Sequence, residues 1–249
     1  MSNLESFVRP SKPFPLPVCT SQEICDRNSI FVANIFRAAS EDEARKAVAH
    51  LRNVIHASKP ASHEMSAWRC MVLKQGKTGL GGPDDFELKT GNEDDGEKYS
   101  SGKILKVMQA EGIIDAVVVV SRWYGGEMLG PVRFAHIEDC TREVCLAFRI
   151  KDELEECIAT LGTLDDMLAL LRSELAELSG TKEKPAGDAK KKQNYSTLID
   201  EQDLQKAKRL VTARENSIKS VKASLLRVKA KQAIEEVAAT NDAASSSKT

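Results

Sequence analysis

Three carboxylates, Asp94, Asp95 and Glu97, fall within four residues of the stretch NEDDGEKYSSG (92–102). A set so close, beside a glycine (Gly96) that allows a sharp bend, suits a hard cation such as Mg²⁺ or a general base. The plainer reading is an acidic solvated loop whose carboxylates cap backbone amides, with Ser100 and Ser101 capping the helix that follows; spacing alone favours it. A second group of chemically able residues lies in VVVVSRWYGGEMLGPVRFAHI (117–137). Here Arg122 and Arg133 flank the Gly125–Gly126 turn, and a helix opening at Pro131 points its positive end back toward it. Two guanidinium groups, free amides and a helix N-terminus are what a phosphate seeks, and Trp123 and Tyr124 offer flat surfaces for a base or sugar. The competing reading is a strand-to-helix corner whose aromatics pack and whose arginines pair with Asp94, Asp95 or Glu97. Both readings stand at this level.

Other motif fragments fail. GKT at 76–78 resembles the end of a P-loop, but Met71 occupies the position of the first glycine. SHEMSAW does not complete H-E-x-x-H, because Ala67 stands where the second histidine belongs. The four histidines, His50, His56, His63 and His136, are scattered, and His50 and His56 read as surface residues of the first helix. The six cysteines form no C-x-x-C pair and no zinc spacing, so they read as free thiols of a reducing compartment. Cys140 and Cys145 lie on a helix and read as packing residues.

The elements that must hold these groups can be placed by periodicity. SIFVANIFRA (29–38) reads as a strand. In the helix over 40–57, Ser40 and Glu43 form a capping box, and Ala44, Ala47, Val48, Leu51 and Ile55 make its apolar stripe. SAWRCMVLK (66–74) reads as a strand, and glycines, acids and a proline exclude a regular element through most of the loop that follows. KILKVMQAEG (103–112) is a short helix. IIDAVVVVS (113–121) is so apolar that it should be a strand buried on both faces. Phe134, Ile137, Thr141, Val144, Cys145 and Phe148 then share one helix face.

Beyond residue 150 the period becomes seven, through Leu161, Leu164, Leu168, Leu171, Leu175 and Leu178, then Leu204, Ala207, Val211, Arg214, Ile218, Val221, Leu225 and Val228. Residues 151–179 carry eight acids and two bases, net −6, whereas 205–232 carry nine bases and one acid, net +8. The simplest account is an antiparallel helical hairpin whose opposite charges set the pairing. The same heptads suit two chains zipped together, so the oligomeric state stays open. The expected divisions are a Pro-rich disordered 1–22, a domain over 23–150, an acidic heptad helix over 151–180, a flexible linker over 181–199, a basic heptad helix over 200–239 and a disordered tail over 240–249.

The whole chain of 249 residues has a formal net charge of −1, so any preference for nucleic acid or an acidic membrane must be local. No run approaches the ~18 apolar residues of a membrane span, and the Pro-rich start is no signal peptide; a cytoplasmic protein is expected.

Taken together, RWYGGEMLGPVRFAHIEDC and EDDGEKYSSGKIL resemble the signature of the IMPACT family, whose domain is shared with bacterial YigZ-like proteins. DRNSIFVANI, SEDEA and ASHEMSAW support the resemblance in order and spacing, over about residues 23–150. It implies an α+β fold like the second domain of ribosomal protein S5, a sheet with helices on one face. The motif residues it marks are Asp95, Gly96, Glu97, Ser101, Gly102, Arg122, Tyr124, Gly125, Gly126, Leu129, Gly130, Arg133 and His136. It also implies a role in translational control, since eukaryotic members restrain the general-control kinase of eIF2 in amino-acid starvation. It supplies no catalytic residue and no cofactor. Three departures qualify it. Only some twenty residues precede the resembling segment, leaving no counterpart of the RWD domain with which the regulator docks. Charged heptads follow where bacterial members have a ferredoxin-like domain, and KQGKTGLGGPDDFELKTGN looks like an expansion before the acidic motif. The expectation is a non-enzymatic adaptor that meets protein partners through its helical hairpin. The alternatives are an RNA- or phosphate-binding module using Arg122, Tyr124, Gly125, Gly126, Gly130, Arg133 and His136, and a metal-assisted hydrolase using Asp94, Asp95 and Glu97.

Overall fold

The computed structural model describes residues 14–179 and 195–246, which form two units, Met1–Arg149 and Ile150–Thr249. The first is built on a six-stranded, wholly antiparallel sheet. Its strands are β1 (Cys19–Thr20), β2 (Ile24–Asp26), β3 (Ser29–Arg37), β4 (His63–Leu73), β5 (Phe86–Glu93) and β6 (Ala116–Trp123). The order across the sheet is β1-β3-β6-β4-β5, with β2 also pairing with β3. Three of these strands, β1, β2 and β5, lie where no element was expected. β1 forms inside the stretch read as a disordered N-terminus, and β5 inside the long loop before the acidic motif. Neither carries an apolar run of its own; each forms because a neighbouring strand supplies backbone partners.

The central strand β6 is buried from Ala116 to Arg122, as its apolar run required. Period-two alternation sends Ala116, Val118 and Val120 to one face and Val117 and Val119 to the other. The first face packs on Ile104 and Met108 of α2 (Ser100–Ala110) and on Ile137, Cys140, Val144 and Phe148 of α3 (Val132–Ser179). The opposite face is covered by α1 (Glu41–His50), through Ala44, Ala47 and Val48, with Leu51, Trp68 and Cys70 beside them. The α+β class is as expected. Placing helices on one face needs the correction that α1 takes the other, because a valine strand apolar on both sides demands cover on both. Each fully buried valine contributes about 1.5–3 kcal/mol.

Helix α1 opens as its sequence predicts, the Ser40 hydroxyl accepting from the Glu43 amide. It stops at His50, and one wider turn follows in which the His56 amide reaches back to the Leu51 carbonyl. Helix α3 is continuous through the boundary expected at residue 150, so its first turns belong to the first unit and the remainder to the second.

In the second unit the seam residues of α3 and α5 (Leu204–Ser246) are buried or half-buried, and their opposite charges pair. Glu153 meets Lys208 at 2.6 Å, Asp165 meets Arg214 at 2.5 Å and Glu174 meets Lys229 at 2.7 Å, while the Gln232 amide donates to the Leu178 carbonyl. Partner numbers rise together, so the helices run parallel and the expected antiparallel hairpin is corrected. The heptad seam does not encode direction; the connection does. Helix α4 (Ser196–Glu201), formed within the expected linker, sets Leu198 against Leu154 and Leu161, and so returns the chain to the start of the acidic half. That return covers roughly 30 Å of helix between Ile158 and Ser179, within the ~50 Å reach of the extended chain joining 179 to 195. The rest of the expected linker, 181–194, lies outside the described residues. So do 1–13 of the expected N-terminal tail and 247–249 of the expected C-terminal one, whereas 240–246 continue α5.

Candidate functional site

The two motifs meet. β6 delivers Arg122 and Trp123, the turn after it carries Tyr124, Gly125 and Gly126, α3 contributes Arg133 and His136, and the loop from β5 to α2 brings the acids. Gly125 lies so close to the turn between β2 and β3 that a Cβ would sit 2.1 Å from the Asn28 carbonyl carbon. Its amide donates to the Ser29 hydroxyl at 3.1 Å, and the Tyr124 amide donates to Ser62 Oγ at 3.0 Å. Gly126 and Gly130 have φ of 92° and 63° and complete the corner that starts α3. The double glycine is therefore a tight corner first, with the Gly125 amide and that of Tyr124 before it already bonded.

Glu97 is the centre of the charged group. Its carboxylate receives the Arg122 guanidinium and lies 2.7 Å from Arg133 Nε, and its side chain is buried. Arg122 is itself 5% exposed, with its guanidinium between the rings of Phe31 and Tyr124 at 5.3 Å from each. Arg133 also donates to the Gly130 carbonyl at 2.7 Å and lies over Phe134. The internal counter-charge arrangement thus has both arginines on one carboxylate.

The other two acids face elsewhere. Asp94 accepts from the amides of Tyr99 and Ser101 and from the Ser101 hydroxyl, so it is Asp94 that closes the start of α2; the expected Ser100 cap is corrected, since Tyr99, with φ 69°, stands at the cap position. Burial pushes the Asp94 carboxyl up, but the Ser101 hydroxyl and the surrounding amides outweigh it and hold it below its ordinary value. Asp95 Oδ2 accepts from the Glu64 amide at 2.8 Å and meets Arg52 at 3.0 Å. Gly96, with φ 88°, sets the bend against the ring of His63. Gly102 lies in the first turn of α2 with open space where a side chain would be. Among the described residues no three His, Cys, Asp or Glu groups are placed to hold a metal ion.

Sequence reasoning missed the residues that extend this network. His63 Nδ1 lies 2.9 Å from the Asp95 carbonyl, and its other nitrogen lies 4.0 Å from Glu97. Glu64, buried at 3%, pairs with Arg52 at 3.0 Å and His56 at 2.8 Å. His56 was expected on the surface; its ring is instead set edge-on to Trp123 at 5.1 Å. The usable signal was a glutamate one residue into a strand, where burial calls for a cation. His136 pairs with Asp26 at 2.9 Å, and the Asp26 carboxyl is held low by hydrogen bonds from Arg27 and then His136. The exposed aromatic groups of the region are Tyr99 and, half so, Tyr124. The buried thiols are inert: burial pushes Cys70 and Cys140 up to about 11 and Cys145 to about 12.

Residues 27–145 match the family model of the Impact N-terminal domain. Protein IMPACT of Rattus norvegicus is 33% identical over 147 residues, covering 59% of this chain and 43% of its own. Protein IMPACT of Danio rerio is 32% identical over 138 residues, covering 54% and 39%. The chain therefore spans less than half the length of these curated relatives. Among solved structures, the two-domain translational regulator Yih1 is 32% identical over 51% of this chain and 45% of that one, with a TM-score of 0.34. The match extends from the turn before β3 into the first turns of α3 and takes in both motifs joined at Glu97; over these residues the chain is similar to the IMPACT family.

Proposed function

We propose that this chain is a non-enzymatic regulatory adaptor of the IMPACT family, acting in cytoplasmic translational control of the amino-acid-stress type, in the general-control eIF2 kinase pathway. One observation supports this reading best: inside the matched domain, the groups able to do chemistry are bonded to one another. Glu97 takes Arg122 and Arg133, Asp95 takes Arg52, and Asp94 takes the amides of α2. Charges paired internally leave shape and exposed aromatic groups as what this region presents to a macromolecule, while the buried Nε atoms of Arg122 and Arg133 have no hydrogen-bond partner among the described residues. The helical unit is the partner-facing element of this proposal. No described helix is long and apolar enough to cross a membrane.

The test is affinity capture from cytosolic extract with the full chain and with a chain ending at residue 149, read by mass spectrometry and RNA sequencing. Proteins of the translation apparatus captured by the full chain, resistant to nuclease and lost on truncation, are the expected result. Capture of RNA alone, weakening steeply with salt and abolished by Arg122→Ala, would instead establish the nucleic-acid reading.

A further inference from the structure

Strand β5 ends its sheet. β4 pairs along one side of it, and among the described residues no strand pairs along the other. Seven of its eight residues are exposed. The register sets Met71 opposite Leu88 and Leu73 opposite Phe86, so these four side chains share one face. All four are more than a third exposed, at 38, 40, 45 and 37% respectively. The alternate face of β5 carries Glu87 and Lys89, 3.6 Å apart. Single exposed apolar residues need no account, but a contiguous group beside an open backbone edge is the surface on which strands add.

We propose that β5 joins two copies of this chain, edge to edge and antiparallel, about a two-fold axis at Leu88. In that register Leu88 meets Leu88 of the second copy and Phe86 meets Thr90, an aromatic beside a β-branched residue. Glu87 meets Lys89 and Lys89 meets Glu87, so both charges find opposite partners twice over. An isologous contact demands that a strand be its own complement, and this is the argument for a second copy as the occupant. Moving the axis to Glu87 or Lys89 sets like charges against each other, and a one-residue slip sets Glu87 against Leu88. The lysine that would guard an isolated edge thus becomes a determinant of register. The inference concerns the sheet unit alone and stands apart from the adaptor reading.

The experiment is sedimentation equilibrium of the full chain over a dilution series, with circular dichroism confirming the fold of each variant. The wild-type chain is expected to dimerise reversibly, Leu88→Arg to remain monomeric, and Glu87→Lys and Lys89→Glu each to weaken association tenfold or more. An equimolar mixture of the two single-charge variants should form a heterodimer, because one strand then presents two lysines to the two glutamates of the other. The double swap should recover the wild-type constant. A wild-type chain monomeric at every concentration overturns the proposal. So does a dimer that Leu88→Arg leaves intact, which would place the contact elsewhere, or charge variants that associate like the wild type.

Discussion

Glu97 holds two cations where neither could be buried alone. Arg122 and Glu97 are both shielded from water, so their attraction is little screened, and removing the carboxylate strands two guanidinium groups. Glu97→Gln should lower stability by about 3–5 kcal/mol in denaturant titrations, and pairing it with Arg122→Met should recover part of that loss. Asp94 makes a second prediction, in pH. Its folded carboxyl lies below the ordinary 3.8, so its stabilising contribution is fully present above that value and is lost as the pH falls through the folded one. Acid unfolding followed by Trp fluorescence should therefore be less steep below pH 3.8 in Asp94→Asn, which retains an acceptor but does not titrate; an unchanged slope would remove Asp94 from this role. Gly125 makes a third. Any side chain there meets the Asn28 backbone, and backbone cannot yield as a side-chain end would, so Gly125→Ala should reduce soluble yield while Gly102→Ala, in open space on α2, should not.

Elements inherit their direction from connections. Heptad apolarity by itself sets no direction, and opposite net charges attract in either sense. The parallel pairing follows from α4, which brings Leu198 back onto Leu154 and Leu161 before α5 begins. Spin labels at 174 and 229 should report a short distance, since Glu174 and Lys229 are in contact, whereas labels at 153 and 229 should lie about 30 Å apart or more, twenty-one residues along the helix at ~1.5 Å each. An antiparallel hairpin would reverse the two results. Within the seam, Arg214 occupies an apolar heptad position and meets Asp165, which also accepts from the Tyr195 hydroxyl at 2.5 Å. A polar group in a seam fixes register at some loss of stability, and this trio lies where the chain enters α4, Tyr195 standing at its cap position.

The two units of the molecule are held by different forces. The sheet unit rests on two apolar layers around β6, whereas the helical unit adds to a narrow seam a set of solvent-facing ion pairs, Glu153–Lys208 and Glu174–Lys229 among them. At 1 M salt the screening length falls to ~3 Å, so the helical unit should lose stability and the sheet unit should not. Both tryptophans, Trp68 and Trp123, lie in the sheet unit. Helix loss followed by circular dichroism should therefore shift to lower temperature with salt while the Trp fluorescence midpoint stays in place; coincident shifts would show one cooperative body instead.

Much of this was determined locally and was legible as such. The valine run dictated a strand covered on both faces, Ser40 and Glu43 dictated the start of α1, and the heptads dictated which sides of α3 and α5 turn inward, because each follows from periodicity or from bonds between residues a few positions apart. Even the meeting of arginines with acids was open to sequence as one of two readings. What tertiary structure alone decided was which partner each charge takes, that Asp94 rather than Ser100 closes α2, that His56 and Glu64 join the network, that β5 exists, and that the long helices run parallel. All of these depend on contacts between residues far apart in the chain, whose energies appear only once a neighbouring strand or a returning segment has brought them within reach.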